Sequence, residues 1–270
     1  MPPHYVKPYV KRNKNDAADA AAICEAVTRP TMRFVSVKTT EQQSILMLHR
    51  TNELLTRQRT TLINAIRAHM AEFGIVAPTG VPQVRKLFRV IADTDDTRLP
   101  PVARSCLESL ARQFLSLHEE IGAAKKKIHA WHCSNEISCR LETIPGLGPV
   151  SSSAMAASVS DPDVFKNGRE LAAWIGLVPR QNSTGGKQRL GKISKQGDQY
   201  LRWLLVVGAM SVIRQAKRRG TSNMPWLDDM IARKPAKVAA VALANKNARI
   251  IWALMKQGGT YQKPVTVPAA

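Results

Sequence analysis

Residues 181–198, Gln-Asn-Ser-Thr-Gly-Gly-Lys-Gln-Arg-Leu-Gly-Lys-Ile-Ser-Lys-Gln-Gly-Asp, set small hydroxyls beside a glycine pair in a strongly basic stretch. Gly185 and Gly186 can take up backbone conformations closed to residues with a Cβ, so the chain can come close to a ligand there. Lys187, Arg189, Lys192 and Lys195 supply cations at short intervals, and Ser183 supplies a hydroxyl nucleophile. A phosphodiester suits that combination. Serine is a weak nucleophile without an activating base or a metal, and no histidine lies near in sequence. Spacing therefore leaves open whether this loop cleaves a phosphodiester or only grips one. Thr184 and Ser194 compete for the same role, while Ser151–Ser153 read better as a helix start.

Two further groups invite chemistry. Asp16 and Asp19 lie three residues apart at the start of an alanine-rich segment, which puts both carboxylates on one helix face. Such a pair suits Mg²⁺ in phosphoryl transfer, and equally suits an N-terminal turn whose dipole favours acids. Ile144-Pro-Gly-Leu-Gly-Pro-Val150 is a tight turn between helical stretches. With Gly146 and Gly148 it is similar to the turn of helix-hairpin-helix modules, where backbone N–H groups hold a DNA phosphate; plain connectors look alike.

Composition points the same way. The 270 residues hold 40 Lys+Arg against 20 Asp+Glu, a net charge of +20, which favours polyanionic partners. Between Arg180 and Arg219 ten cations, Arg202 among them, face the single acid Asp198. A solvated face would mix signs, so a surface turned toward nucleic acid is expected. A purely structural helical protein fits that charge poorly. No apolar run approaches the roughly 20 residues of a membrane span, and the first residues lack a signal peptide's apolar core. Four cysteines suit a reducing, cytoplasmic setting. His129, His132, Cys133 and Cys139 lack the paired spacing of structural zinc, and Ile128 and Trp131 assign that segment to a helix core. Aromatics make up 5%, too few for extensive base stacking.

The elements that must position these groups are mainly α-helical. Residues 1–37 begin extended and basic, then form a helix from Asp16 to about Val27. They read as the last strand and helix of a larger unit. Residues 38–135 hold two long helices with heptad-like seams. One runs through Ile45, Leu48, Asn52, Leu55, Arg59, Leu62, Ile66, His69 and Phe73; the other runs from Leu107 to Trp131 without polar interruption. A loop-rich segment with Pro78, Pro82, Pro100 and Pro101 separates them. Both an internal helical hairpin and a coiled coil between copies satisfy that pattern. Residues 136–262 are expected to be helical around the serine loop, with helices at 200–219 and 236–256, and residues 263–270 to form a flexible tail.

Six motifs then occur in order: Lys14-Asn-Asp-Ala-Ala-Asp-Ala20, Ile144-Pro-Gly-Leu-Gly-Pro149, Trp174-Ile-Gly-Leu-Val-Pro179, Ser183-Thr-Gly-Gly-Lys187, Arg189-Leu-Gly-Lys-Ile-Ser-Lys195 and Tyr200-Leu-Arg-Trp-Leu-Leu205. Together they resemble the bacterial insertion-sequence transposases of the DEDD type, the bridge-RNA-guided recombinases. The resemblance implies a RuvC-like α/β domain whose four acids hold Mg²⁺, a coiled-coil region, and a C-terminal domain whose serine attacks DNA. It implies DNA, a structured guide RNA and further copies of the chain as partners. Matched by motif, Asp16 and Asp19 correspond to the last two acids and Ser183, rather than Thr184, to the nucleophile. The family's first Asp and its Glu precede the Lys-x-Asp motif, so an N-terminally truncated member is expected. The alternative is a catalytically inactive, nucleic-acid-binding remnant.

Overall fold

Caps and prolines set the helix boundaries in the computed structural model, which describes residues 1–262 except 2, 12–14, 31, 33, 35, 188 and 222–223. Lys14 and the tail expected at residues 263–270 lie outside the described residues. The chain opens with helical turns, α1 (Pro3–Val6) and a 3-10 turn at Lys7–Tyr9, before α2 (Asp16–Val27). The extended segment expected here is therefore not a strand. A strand must find a neighbour for its N–H and C=O groups; this segment closes local bonds instead, as Val10 N–H does onto the Lys7 carbonyl at 3.2 Å.

The long helices are α3 (Thr40–Glu72) and α5 (Pro101–Ser134), separated by α4 (Val84–Ala92). Thr39 begins α3 with a reciprocal capping box: its Oγ1 accepts from Gln42 N–H at 3.1 Å, and Gln42 Oε1 accepts from Thr39 N–H at 3.0 Å. Pro101 occupies the first turn of α5, where its missing N–H costs nothing. The two helices pack antiparallel. Trp131 Nε1 donates to Glu41 Oε1 at 2.6 Å at one end, while Leu107 joins Ile66 and Met70 in one apolar cluster at the other. The internal hairpin is thus formed.

Its seam on α3 is shifted from the heptad reading, burying His49, Asn52, Ile63, Ile66 and Met70 while His69 stays exposed. The helix must also face a second layer, because α7 packs on both α3 and α5. The connecting segment, expected as loop, contains α4, which buries Val84, Leu87 and Ile91 against the hairpin. Its prolines sit at the edges, where they frame a helix without interrupting it. Arg104 fixes the end of α4 by donating to the Val90 and Ile91 carbonyls at 3.1 and 2.6 Å.

The C-terminal part contains α6 (Glu136–Glu142), α7 (Pro149–Ser158), α8 (Gly168–Ile175), a two-stranded antiparallel sheet of β1 (Pro179–Gln181) and β2 (Leu190–Ile193), α9 (Gln199–Arg219), α10 (Pro225–Arg233) and α11 (Ala236–Gln257). The fold is mainly α. The central helix α11 packs on α6, α8, α9 and α10, and its side chains also tie down three loops. Asn245 Nδ2 donates to the Leu177 carbonyl at 3.0 Å, Asn247 Nδ2 to that of Pro145 at 2.9 Å, and Trp252 Nε1 to that of Pro162 at 3.1 Å.

In the turn before α7 packing requires glycine at Gly146, whereas Gly148 stands in open space. Gly146 has φ +91° and lies against Gly208 of α9, where an added Cβ would fall 1.9 Å from the Gly146 carbonyl oxygen. Gly148 N–H is already taken up by Ser151 Oγ at 3.1 Å. Gly208→Val is therefore expected to lower stability by about 1–3 kcal/mol, with the denaturation midpoint as readout. An unchanged midpoint would show that the two backbones are not in contact.

Candidate nucleophile hairpin and nucleic-acid interface

The loop carrying Ser183 is a β-hairpin. Gly185 (φ +53°) and Gly186 (φ +76°) are the two residues of a tight turn between Thr184 and Lys187, whose N–H groups donate to each other's carbonyls at 3.3 and 3.0 Å. Two successive positive φ values match the twist of a hairpin and require glycine-like residues. The pair thus serves the turn, and both glycines stand in open space at its tip. Asn182 N–H donates to the Arg189 carbonyl at 2.8 Å, and Ser183 Oγ accepts from Arg189 N–H at 3.3 Å. Ser183 is exposed. The surrounding backbone fixes its position, and this is its one hydrogen bond among the described residues.

A lone two-stranded hairpin is marginal in water, so the root must be held by the helical core. Ser194 N–H donates to the Val178 carbonyl at 2.8 Å, and Lys195 N–H donates to that of Gly176 at 3.1 Å. Gly176 (φ +83°) and Gly197 (φ +79°) let the loop backbone press against the end of α8; a Cβ on Gly197 would lie 1.8 Å from the Trp174 carbonyl oxygen. Arg202 completes the clamp. Its Nη1 donates to the carbonyls of Ile175 at 2.8 Å and Gln196 at 3.0 Å. Half-buried and bound to backbone, Arg202 positions the hairpin root. Toward a phosphate it can offer only the guanidinium N–H groups that these two carbonyls leave free.

The cations fare differently. Arg180, Lys187, Arg189, Lys192 and Lys195 are all exposed on the hairpin, and none has an acidic partner among the described residues. The stretch's one acid, Asp198, caps α9, accepting from Tyr200 and Leu201 N–H at 2.8 and 3.1 Å. Lys195 itself has φ +55°. A left-handed conformation in a non-glycine residue costs about 1–3 kcal/mol and clusters at functional sites. It turns the chain from β2 back onto Gly176.

Asp16 and Asp19 project, exposed, from the first turn of α2, which Asn15 caps by accepting from Ala17 N–H at 2.8 Å. Their oxygens are of the right class for Mg²⁺, but octahedral coordination needs ligands converging from several directions. Both carboxylates come from one helix turn, and among the described residues no group of three His, Cys, Asp or Glu is arranged to hold a metal. These residues do not make a Mg²⁺ site by themselves. Helix α2 packs on α1 and the Lys7–Tyr9 turn, so the acids and Ser183 are positioned by different parts of the fold.

The sequence reading missed a buried polar node. His49, 1% exposed, lies within 3.1 Å of both Tyr200 Oη through Nδ1 and Ser153 Oγ through Nε2. Ser153 Oγ donates to the Pro149 carbonyl at 2.6 Å, which assigns the imidazole proton to Nε2 and makes Tyr200 the donor to Nδ1. One side chain thereby joins α3, α7 and the first turn of α9. The signal was a histidine beside Leu48 on a seam-forming helix, with small Ser153 available to receive it.

Burial pushes His49 down to about 4 and Tyr200 above its usual range. The unfolded histidine protonates near 6.5, so this contribution to stability is complete above pH 6.5. It falls as pH drops toward 4, by up to about 3 kcal/mol. His49→Gln is expected to remove that acid limb. Urea denaturation between pH 7 and 4.5 checks it; an identical pH dependence in both proteins would contradict the assignment.

No helix among the described residues is long and apolar enough to cross a membrane. Comparison with known proteins agrees with the motif order. Residues 138–223 match the family described as "Transposase IS116/IS110/IS902 family", and residues 2–75 match the DEDD family of IS110 type, described as "Transposase". A "Probable family 20 transposase" of Pseudomonas aeruginosa is 45% identical over 96% of this chain and 77% of its own length. The transposase for insertion sequence element IS1111A of Coxiella burnetii is 41% identical over 96% of the chain and 71% of its own. That for IS1328 of Yersinia enterocolitica is 38% identical over 97% and 77%. The chain belongs to the IS116/IS110/IS902 family of insertion-sequence transposases.

Proposed function

We propose that the chain is a DNA transposase subunit whose exposed hairpin faces nucleic acid and presents Ser183 to a phosphodiester. The observation that carries this reading is the hairpin itself: five exposed cations without an acidic partner among the described residues share it with a fixed, exposed hydroxyl, on a root clamped to the core. In the reaction the Ser183 Oγ–P bond forms and one P–O ester bond breaks. The serine proton is lost, and the departing oxygen takes up a proton as it leaves. Lys187 and Arg189 follow the hydroxyl in sequence on the same hairpin and stabilise the charge that develops on phosphorus oxygens. Asp16 and Asp19 contribute to a Mg²⁺ site only together with carboxylates from elsewhere, a partner copy included.

A structured guide RNA and a homo-oligomer belong to the same proposal. The hairpin of α3 and α5 offers a surface for both, and the buried Asn52 Oδ1 and Arg59 Nε on its α3 seam lack a hydrogen-bond partner among the described residues. Gly146 supports α9 through its close approach to Gly208, and Gly148, whose Cβ position is open, keeps the turn's approach to a phosphate within the proposal. A catalytically inactive, nucleic-acid-binding member is the second reading, and the single-helix origin of Asp16 and Asp19 favours it. Titrating a labelled duplex and a structured RNA at two salt concentrations tests the shared element. Binding that weakens steeply with salt is expected; binding that is absent at low salt, or indifferent to salt, would refute it.

A further inference from the structure

Beside the hairpin root lies a cavity of about 680 Å³ between α3 and the start of α9, with Arg50, Glu53 and Arg57 on one wall and Trp174 and Tyr200 on the other. A second chamber of about 220 Å³ adjoins it, lined by Val159, Val164 and Phe165; both chambers share Lys38, Ser158 and Trp174. The proposed reaction uses neither, and neither does it use the Trp174-Ile-Gly-Leu-Val-Pro motif.

We propose that this double cavity receives one unpaired nucleotide of a nucleic-acid strand, its phosphate at Lys38 and Arg50 and its base against Trp174 and Phe165. The inference rests on the nucleic-acid-facing hairpin and deepens it.

Charge supports the phosphate end. Glu53 is paired with Arg57 at 2.9 Å, Asp198 is occupied capping α9, and Asp161 of the second chamber accepts from Asp163 N–H at 2.8 Å, so each of the three acids on the walls already has a partner. Lys38 and Arg50 have no such partner among the described residues. Shape supports the base end. Trp174 and Phe165 meet edge to face with centroids 5.6 Å apart, leaving Trp174 half-buried at the junction of the two chambers. The larger volume falls within the roughly 300–1,000 Å³ of small-ligand pockets. It is far too small for a duplex, so a nucleotide must leave its stack to enter.

Position supports a strand as the source. The hairpin root touches the Trp174 carbonyl through Gly197, so a strand held along the hairpin cations passes the mouth of the cavity. His49 contributes a neutral wall and keeps α3 and α9 in register across the opening. Stacking on an aromatic ring plus one phosphate contact predicts roughly a ten-fold or greater gain for an unpaired nucleotide.

The test uses the full chain with DNA and RNA duplexes of equal length, either fully paired or carrying one unpaired 2-aminopurine. The expected result is at least ten-fold tighter binding of a bulged duplex and quenching of the 2-aminopurine emission. Arg50→Ala should bring the bulged-to-paired ratio close to one, and Trp174→Phe should weaken the quenching while preserving the fold. Preference confined to DNA or to RNA identifies the strand that supplies the nucleotide. Equal affinity for bulged and paired duplexes in both nucleic acids would overturn the proposal while leaving the hairpin reading intact. So would an Arg50→Ala protein that keeps the ratio but changes its oligomeric mass, because the cavity would then seat protein. Failure to bind any of the four duplexes at low salt would instead strike the hairpin reading itself.

Discussion

Replacing Ser183 by alanine is expected to abolish covalent attachment of this chain to DNA while leaving it able to bind DNA. In the proposed reaction Asp16 and Asp19 would hold a metal only with further carboxylates, so the test is best run with the Pseudomonas aeruginosa relative present as the source of further ligands. The two chains differ in size, since this one spans 77% of that relative, and their adducts separate on a denaturing gel. The wild-type chain should appear among the adducts, and its share should fall at least about 100-fold in Ser183→Ala, the scale of losing an essential nucleophile. Persistence of the smaller adduct would move the nucleophile to Thr184 or Ser194. Of these, Thr184 pairs with Lys187 at the turn, whereas Ser194 sits at the root, where its N–H is bonded to Val178. Thr184 would therefore be tried first.

The second large effect concerns the hairpin cations. Replacing Lys187, Lys192 and Lys195 together by alanine should reduce the slope of log affinity against log salt by about 3, one unit or slightly less for each phosphate no longer neutralised. Affinity near 0.1 M salt should fall correspondingly, and helicity should not, because all three side chains are exposed. Lys195 permits a finer separation. Its left-handed backbone is strained for lysine but free for glycine. Lys195→Gly should therefore preserve or raise stability while lowering affinity. A triple variant with an unchanged salt slope would remove the phosphates from this face.

Much of this is legible in the chain. The span of α2 follows directly from Asn15, the alanine run and the break before Pro30, and α9 and α11 from apolar spacing ended by Gly220 and Gly258. The long helices are legible as helices, but their buried faces are not. Heptad spacing describes one seam, whereas α3 faces α5 along its length, α7 at His49 and α4 near its end, where Met70 joins Leu87, Ile91 and Leu107 while His69 stays exposed. The N-terminal segment reads as a strand because Val-Lys-Pro-Tyr-Val has the composition of an extended edge; with no strand beside it among the described residues, it coils into turns. Helix α4 is hidden by flanking prolines that in fact frame it.

At the site, the residues are legible and their division of labour is not. Gly-Gly between polar residues is a hairpin signal as much as a ligand-approach signal, and the strands beside it are too short to announce themselves by alternation. Arg202 is indistinguishable in sequence from the other cations, and only the carbonyls of Ile175 and Gln196 around its guanidinium set it apart. Gly146 can be recognised as a tight turn, but its real partner, Gly208, lies 62 residues away in sequence. The His49–Tyr200–Ser153 node joins residues 104 and 151 apart, a separation that no local pattern encodes.

The most direct test of the account is to photo-crosslink the intact chain to DNA at low salt and map the attached peptides by mass spectrometry. If the hairpin is the nucleic-acid-facing surface that carries the nucleophile, crosslinks should concentrate in residues 180–195, with Ser183, Lys187, Arg189 and Lys192 at their centre. Crosslinks confined to the exposed faces of α10 and α11, with the 180–195 peptides recovered unmodified, would contradict it.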